Sequence, residues 1–177
     1  MTRDQLEHAI RAACDVAEDS EVWVFGSQAI LGEFPDAPEA LRASIEVDMQ
    51  PKNRPDKADL VDGALGEMSQ FHKTHDFYVH GLLIDGSAFP QGWQHRTKPV
   101  VDEISTKGKI GWCVEIHDLA ASKLAAYREK DRDFVRTVLI EGMIAPATLI
   151  ERIKLLNIDE ELRDRLLQWI QSTIEEL

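Results

Sequence analysis

The sequence predicts an α+β fold, with a mixed sheet flanked by helices and a helical C-terminal part. Three observations support this prediction. An amphipathic segment opens the chain, several short runs with strand character follow, and helical periodicity dominates after His117. A chain of 177 residues suits one domain with a well-developed core and a small helical addition.

The first forty residues alternate between helix, strand and turn signals. Residues 5–17 place apolar side chains at helical spacing, which predicts an amphipathic helix. Residues 21–25 form an apolar run closed by Gly26, which is typical of a buried strand that ends in a turn. Residues 28–31 favour a short helix, whereas residues 32–38 contain two prolines and a glycine and predict an irregular loop.

The second predicted strand covers residues 43–49, where apolar and polar side chains alternate. Ile45, Val47 and Met49 share one face, so Glu46 and Asp48 share the other. A polar loop is expected over residues 50–57. Beyond it, weak helical character is expected over 58–68 and strands over 77–84 and 109–116.

The C-terminal part of the chain is predicted to be helical. Helices are expected over residues 118–129 and 131–141, in a segment opened by Pro146, and over 159–176. No stretch approaches the ~20 apolar residues that a membrane crossing needs, and the N-terminus lacks a signal-peptide core. We therefore expect a cytoplasmic location and no membrane partner.

The net charge and the two cysteines bear on whether the chain binds nucleic acid broadly or holds a metal through thiols. The formal net charge of −12 repels phosphate backbones and disfavours a large nucleic-acid footprint, although a local basic site is compatible with it. The two cysteines, Cys14 and Cys113, lie in apolar runs without metal-ligand spacing, so both are expected to be buried thiols.

Gly26 and Ser27 follow the first predicted strand and precede a short helix. A glycine and a serine at such a turn can hold a phosphate through backbone N–H groups and the hydroxyl. The alternative is an ordinary turn in which Ser27 caps the following helix.

Glu46 and Asp48 lie two residues apart on one strand, so their Cα atoms stand about 6 to 7 Å apart on the same face. Carboxylates in this arrangement can bind Mg²⁺, which relieves their mutual repulsion. The alternative is the solvated outer face of an antiparallel sheet.

Together these features resemble the nucleotidyltransferase superfamily with the DNA polymerase beta-like fold. The resemblance implies that Gly26 and Ser27 contact the triphosphate, and that Glu46 and Asp48 bind the catalytic metal, expected to be Mg²⁺. The interval from Ser27 to Glu46 is longer than the compact family pattern, and Glu46 stands where aspartate is commoner. The extra length falls in a loop, where insertions cost little.

A second block, residues 115–134, resembles a signature of the abortive-infection and toxin-type branch of that superfamily. It reads Asp-Leu-x-x-x-Lys-Leu-x-Ala from Asp118, followed by a Lys-Asp pair. Residues 118–130 are helical in composition, which would put Lys123 and Asp131 on one side two turns apart. Ordinary surface charge on a helix is the alternative for each of these residues.

The resemblance assigns roles to four residues of this block. Lys123 would neutralise triphosphate charge, Asp131 would orient Lys123 or act as a base, and Arg128 would add a phosphate contact. Glu115 is a candidate third metal carboxylate, with an edge-facing surface residue as the alternative. The implied division is a nucleotidyltransferase-like core over residues 1–135, with C-terminal helices over 136–177 packed on it.

The predicted function is metal-dependent transfer of a nucleoside monophosphate from a nucleoside triphosphate to an RNA, protein or small-molecule acceptor, transfer RNA among them. The alternative is a non-catalytic nucleotide-binding or regulatory module, or a toxin-antitoxin component with a protein partner on its C-terminal helices.

A zinc site is not expected. The histidines at positions 72, 75, 80, 95 and 117 are interpreted as polar surface residues, because their spacing lacks the pattern of a helical zinc motif.

Overall fold

The computed structural model describes residues 1–176. Contacts divide the chain into two compact units, which we name the sheet unit (Met1–Ile84 and Thr97–Glu115) and the helical unit (Asp85–Arg96 and the chain from Ile116 onward). This grouping differs from the predicted division after residue 135, which stays a prediction about domains. Each unit is described separately below.

The sheet unit contains five strands and four α-helices among the described residues. Its strands are β1 (Glu21–Phe25), β2 (Glu46–Pro51), β3 (Tyr78–Gly81), β4 (Lys98–Val100) and β5 (Ile110–Cys113). Its helices are α1 (Arg3–Ala17), α2 (Glu39–Arg42), α3 (Ala58–Leu65) and α4 (Gln70–His75). Short 3₁₀ helices cover Ser27–Gly32 and Pro55–Lys57.

The sheet is mixed, with strand order β3-β2-β1-β5-β4. The β1–β2 and β4–β5 pairs are antiparallel, whereas β1–β5 and β2–β3 are parallel. Helices α1 and α3 contact the sheet and each other. Alternation along the strands buries one row of side chains and leaves the intervening row half-buried, so β2 and β3 present polar groups on a shared face.

The helical unit holds the last four α-helices. They are α5 (Ile116–Ala126), α6 (Glu129–Ile140), α7 (Pro146–Lys154) and α8 (Glu160–Glu175). Asp159 caps α8 by accepting a hydrogen bond from the backbone N–H of Leu162 at 2.7 Å. Apolar side chains from these helices are fully buried: Leu119, Leu124, Leu149, Ile153, Leu166 and Ile170.

These elements confirm the predicted α+β class, the mixed sheet and the helical C-terminal part. Both cysteines are buried and unpaired, as predicted. Within residues 1–176, no helix is long and apolar enough to cross a membrane.

Candidate metal centre

Strand β2 carries the two carboxylates of the predicted metal site. Val47 and Met49, which follow these two carboxylates in sequence, are buried on the opposite side of the strand. Glu46 and Asp48 therefore project from the half-buried face, with 39% and 25% of their side chains exposed. The carboxylates share one face, as the alternation of residues 43–49 predicted, although the strand itself begins at Glu46.

Strand β3 adds a histidine to these carboxylates. It runs parallel to β2, with Glu46 opposite Tyr78 and Asp48 opposite His80. His80 Nδ1 lies 3.1 Å from Asp48 Oδ1 and 3.4 Å from Glu46 Oε1. One ligand-competent atom from each of the three residues lies within 4.8 Å of the others. We call Glu46, Asp48 and His80 the acidic-histidine cluster.

Tyr78 and Gly26 lie beside the two carboxylates of the cluster. The Tyr78 hydroxyl donates a 2.6 Å hydrogen bond to Glu46 Oε2, which leaves Oε1 on the side of His80. Asp48 Oδ2 lies against the backbone of Gly26, and Oδ1 is the oxygen beside His80. One oxygen of each carboxylate, Glu46 Oε1 and Asp48 Oδ1, therefore lies beside His80 Nδ1.

The two carboxylates differ in how readily they hold a proton. Burial, together with the negative charge of Glu46, raises the pKa of Asp48 to about 6. Burial is the largest influence on Glu46 and opposes its ionisation, but the hydrogen bond from Tyr78 and the contacts with Asp48 and His80 together outweigh it and lower the Glu46 pKa. The same hydrogen bond raises the pKa of Tyr78, so the phenol remains a donor. A nearby cation would relieve the repulsion that raises the Asp48 pKa.

Gly26 directly follows β1 and lies beside Asp48 of this cluster. Its φ of +67° and ψ of −173° define a backbone conformation that is open almost only to glycine. A Cβ at this position would lie 2.1 Å from Asp48 Oδ2, well inside van der Waals contact. Glycine is therefore required both by the turn and by the close approach to Asp48. Ser27 begins the 3₁₀ helix that follows.

Glu115 lies two residues beyond the end of β5 and is 7% exposed. The cluster found among the described residues contains His80 as its third member and does not contain Glu115. The role of Glu115 as a third metal carboxylate stays a prediction.

Lys123, Arg128 and Asp131 are brought together in the helical unit. Asp131 is fully buried; Lys123 Nζ lies 3.3 Å from Asp131 Oδ1, and Arg128 Nε donates to Asp131 Oδ2 at 2.5 Å. Lys123 is only 11% exposed and also lies over the Phe134 ring at 4.6 Å. Burial lowers the pKa of Lys123, and the charge of Asp131 partly opposes this shift. The roles of these residues at a nucleotide phosphate stay predictions.

The placement of Lys123 and Asp131 on one helix face is wrong, and the break between the helices expected over 118–129 and 131–141 lies about three residues earlier than predicted. Helix α5 ends at Ala126, Tyr127 has a φ of +52°, and Arg128 caps α6. Lys123 and Asp131 meet across this bend between two helices, and not along one helix face. The position of the break could not be read from the sequence, because residues on both sides of Tyr127 have helical composition and no glycine or proline marks it.

Asp118, the first residue of the signature, is fully buried within the helical unit. Its carboxylate accepts hydrogen bonds from Arg96 Nε at 2.7 Å and Nη2 at 3.0 Å, and Arg152 Nε lies 2.9 Å from Oδ1. Two guanidinium groups therefore balance one buried carboxylate. This arrangement ties α5 to α7 and to the segment before residue 97.

Sequence reasoning missed His80 and Tyr78 as site residues. Residues 77–84 were predicted as a strand, and alternation within it already put both side chains on one face. The sequence does not show which strand pairs with residues 77–84. That pairing decides whether this face adjoins Glu46 and Asp48.

Searches of protein-family models, curated proteins and solved structures found no match for this chain. No family is therefore assigned to it.

Proposed function

We propose that this chain binds a divalent cation at Glu46 and Asp48 and transfers a nucleoside monophosphate from a nucleoside triphosphate to an acceptor. The observation that carries the proposal is the packing of the Gly26 turn directly against Asp48. It supports a shared site for a phosphate group and a cation, because Asp48 Oδ2 lies where a Cβ at Gly26 would be, so the turn and the carboxylate adjoin.

The residues of the cluster fit a divalent cation. Their donor atoms converge within 4.8 Å, and 39%, 25% and 44% of the side chains of Glu46, Asp48 and His80 remain exposed for an ion to enter. When bound, the cation would polarise phosphoryl oxygens and offset the charge of the triphosphate. The resemblance of the sequence to nucleotidyltransferases implies Mg²⁺ in this role.

The chain's own groups would position the reactants. The backbone N–H groups at Gly26 and Ser27 would hold phosphate oxygens beside Asp48, since N–H groups at the start of a helix attract anions. An acceptor hydroxyl oxygen would form a bond to the α-phosphorus, the bond from that phosphorus to the bridging oxygen would break, and pyrophosphate would leave. The proton of the hydroxyl would pass to a carboxylate oxygen of the cluster.

The test is incorporation of label from α-³²P-labelled ATP, GTP, CTP and UTP, each with and without a divalent cation, into RNA, protein and small-molecule acceptors. We expect one nucleotide to label an acceptor and Asp48→Asn to abolish labelling while the circular dichroism spectrum is unchanged. Asp56→Asn, which changes an exposed aspartate in the same unit, serves as the matched control. Full labelling by Asp48→Asn would remove the basis of the proposal.

A second candidate is a nucleotide-binding or regulatory module without catalysis. The burial of Lys123 against Asp131 favours this candidate. The Lys123 ammonium group is held between a buried carboxylate and an aromatic ring, so its contacts are those of a structural residue. Calorimetry distinguishes the two candidates: nucleotide binding without labelling supports the module, whereas binding with labelling supports the transferase. Absence of nucleotide binding would contradict both.

A further inference from the structure

We infer that His80 is the third protein ligand of the cation, and that the site prefers Mn²⁺ over Mg²⁺. This inference rests on the proposed function only in taking Glu46 and Asp48 as the other two ligands. It concerns the identity of the cation, which the resemblance to nucleotidyltransferases gave as Mg²⁺.

The distances within the cluster suit three ligands on one side of a single ion. Two neighbouring ligands of an octahedral cation, each about 2.1 Å from it, stand about 3.0 Å apart. His80 Nδ1 lies 3.1 Å from Asp48 Oδ1 and 3.4 Å from Glu46 Oε1. The imidazole is therefore already near the spacing that coordination needs, and only small side-chain shifts would admit an ion.

The strand register fixes this arrangement. His80 is opposite Asp48 in the parallel β2–β3 pair, and Tyr78, two residues earlier, is opposite Glu46. Tyr78 holds Glu46 Oε2, and the Gly26 backbone lies against Asp48 Oδ2. The carboxylate oxygens nearest to His80 Nδ1 are Glu46 Oε1 and Asp48 Oδ1. Partners that hold the outer oxygens of ligating carboxylates are a regular feature of metal sites.

Mg²⁺ and Mn²⁺ differ in how well they accept this set of two carboxylate oxygens and one imidazole nitrogen. Mg²⁺ is a hard ion that prefers oxygen ligands and dehydrates reluctantly, whereas imidazole nitrogen suits transition metals. Mn²⁺ shares the carboxylate preference and octahedral geometry of Mg²⁺, which leaves positions open for phosphate oxygens. As a first-row transition metal it is the softer of the two ions, so it tolerates an imidazole ligand better than Mg²⁺ does. Because 44% of the His80 side chain is exposed, those open positions can face solvent.

The test compares Mn²⁺ and Mg²⁺ binding to the full chain, without nucleotide, by calorimetry. His80→Ala should weaken Mn²⁺ binding by at least about tenfold and change Mg²⁺ binding by less than about threefold. His80→Asp, which supplies a third carboxylate, should lower the ratio of Mn²⁺ to Mg²⁺ affinity. His95→Ala, which changes an exposed histidine of the helical unit, is the matched control and should leave both affinities unchanged.

Pulsed electron paramagnetic resonance supplies a readout that does not depend on affinity. Mn²⁺ bound to the wild-type chain should show hyperfine coupling to one imidazole nitrogen, and His80→Ala should lose that coupling. Retained coupling, or equal weakening of the binding of both cations in His80→Ala, would overturn the inference.

Asp48→Asn separates the two proposals. Loss of binding of both cations in this variant upholds the carboxylate site even where His80 proves not to be a ligand. Unchanged binding of both cations would instead remove the site itself.

Discussion

Asp48 is the residue at which burial, charge and backbone packing act together. It lies beside Glu46 and His80 and against Gly26, and its pKa is raised to about 6 by burial and by the Glu46 charge. A carboxyl whose pKa is higher in the folded than in the unfolded chain contributes stability below its unfolded pKa. That contribution is lost as pH rises through the folded value.

Replacing Asp48 by Asn should therefore stabilise the cation-free protein at neutral pH. The unfolded pKa is near 3.8 and the folded one about 6. The gain in the free energy of unfolding should be absent near pH 4 and grow between pH 4 and 6. Above that range it should reach at most about 3 kcal/mol. Urea denaturation of both proteins across this pH range, in the presence of a chelator, measures it. A variant that is less stable than wild type at pH 7 and equal to it at pH 4 would contradict this account of Asp48.

Gly26 is the second residue on which the site depends. Gly26→Ala places a methyl group 2.1 Å from Asp48 Oδ2 and forces an L-residue into a glycine conformation, which alone costs about 1–3 kcal/mol. We expect a lower denaturation midpoint together with loss of divalent-cation binding, because Asp48 must move.

Gly108→Ala separates backbone strain from the clash. Gly108 also has a positive φ, of +72°, but an added Cβ there meets nothing within 4 Å. This control should lose stability and keep its cation affinity in calorimetry. Equal cation affinity in the two variants would show that Gly26 does not position Asp48.

At the scale of elements, the pairing of β2 with β3 builds the cluster. Each strand was predictable by itself: residues 43–49 alternate clearly, and 77–84 are rich in strand-forming side chains. Local patterns do not determine which strands pair or in what register, so the approach of His80 to Asp48 could not be predicted. The acidic half of the site was predictable because Glu46 and Asp48 lie on one strand.

Short elements escaped prediction for a related reason. Strand β4 is three residues long and contains Pro99, which removes a backbone donor and is confined to sheet edges. Helices α2 and α4 have only four and six residues, too few to show a hydrophobic period. The longer helices α1 and α8 were predicted to within about two residues because their apolar stripes extend over several turns.

The bend between α5 and α6 depends on the buried Asp131. Asp131→Ala leaves Lys123 buried without its carboxylate partner, and removal of one partner from a buried pair costs about 3–5 kcal/mol. We expect a loss of that size in urea denaturation.

Two further variants test this account of the bend. The double variant Lys123→Met with Asp131→Leu should lose less stability than Asp131→Ala. Arg128→Ala should lose about 1 kcal/mol or less, because 63% of the Arg128 side chain is exposed. A stability loss in Asp131→Ala no larger than in Arg128→Ala would contradict the structural role of the pair.

For the whole molecule, the net charge of −12 attracts cations and repels nucleic acid. A long nucleic-acid acceptor of the proposed transfer would have to approach against this field, so the proposal favours a small or locally contacted acceptor. A cation that binds only the native state also stabilises the entire chain, by about 2.7 kcal/mol at one hundred times its Kd.

We propose that Glu46, Asp48 and His80 form one metal centre. Anomalous X-ray diffraction from crystals grown with Mn²⁺ tests it most directly. We expect one anomalous peak within coordination distance, about 2.0–2.3 Å, of oxygens from both carboxylates and of His80 Nδ1, and no such peak in Asp48→Asn crystals. A well-ordered Mn²⁺ bound elsewhere on the chain, with this cluster empty, would contradict the account.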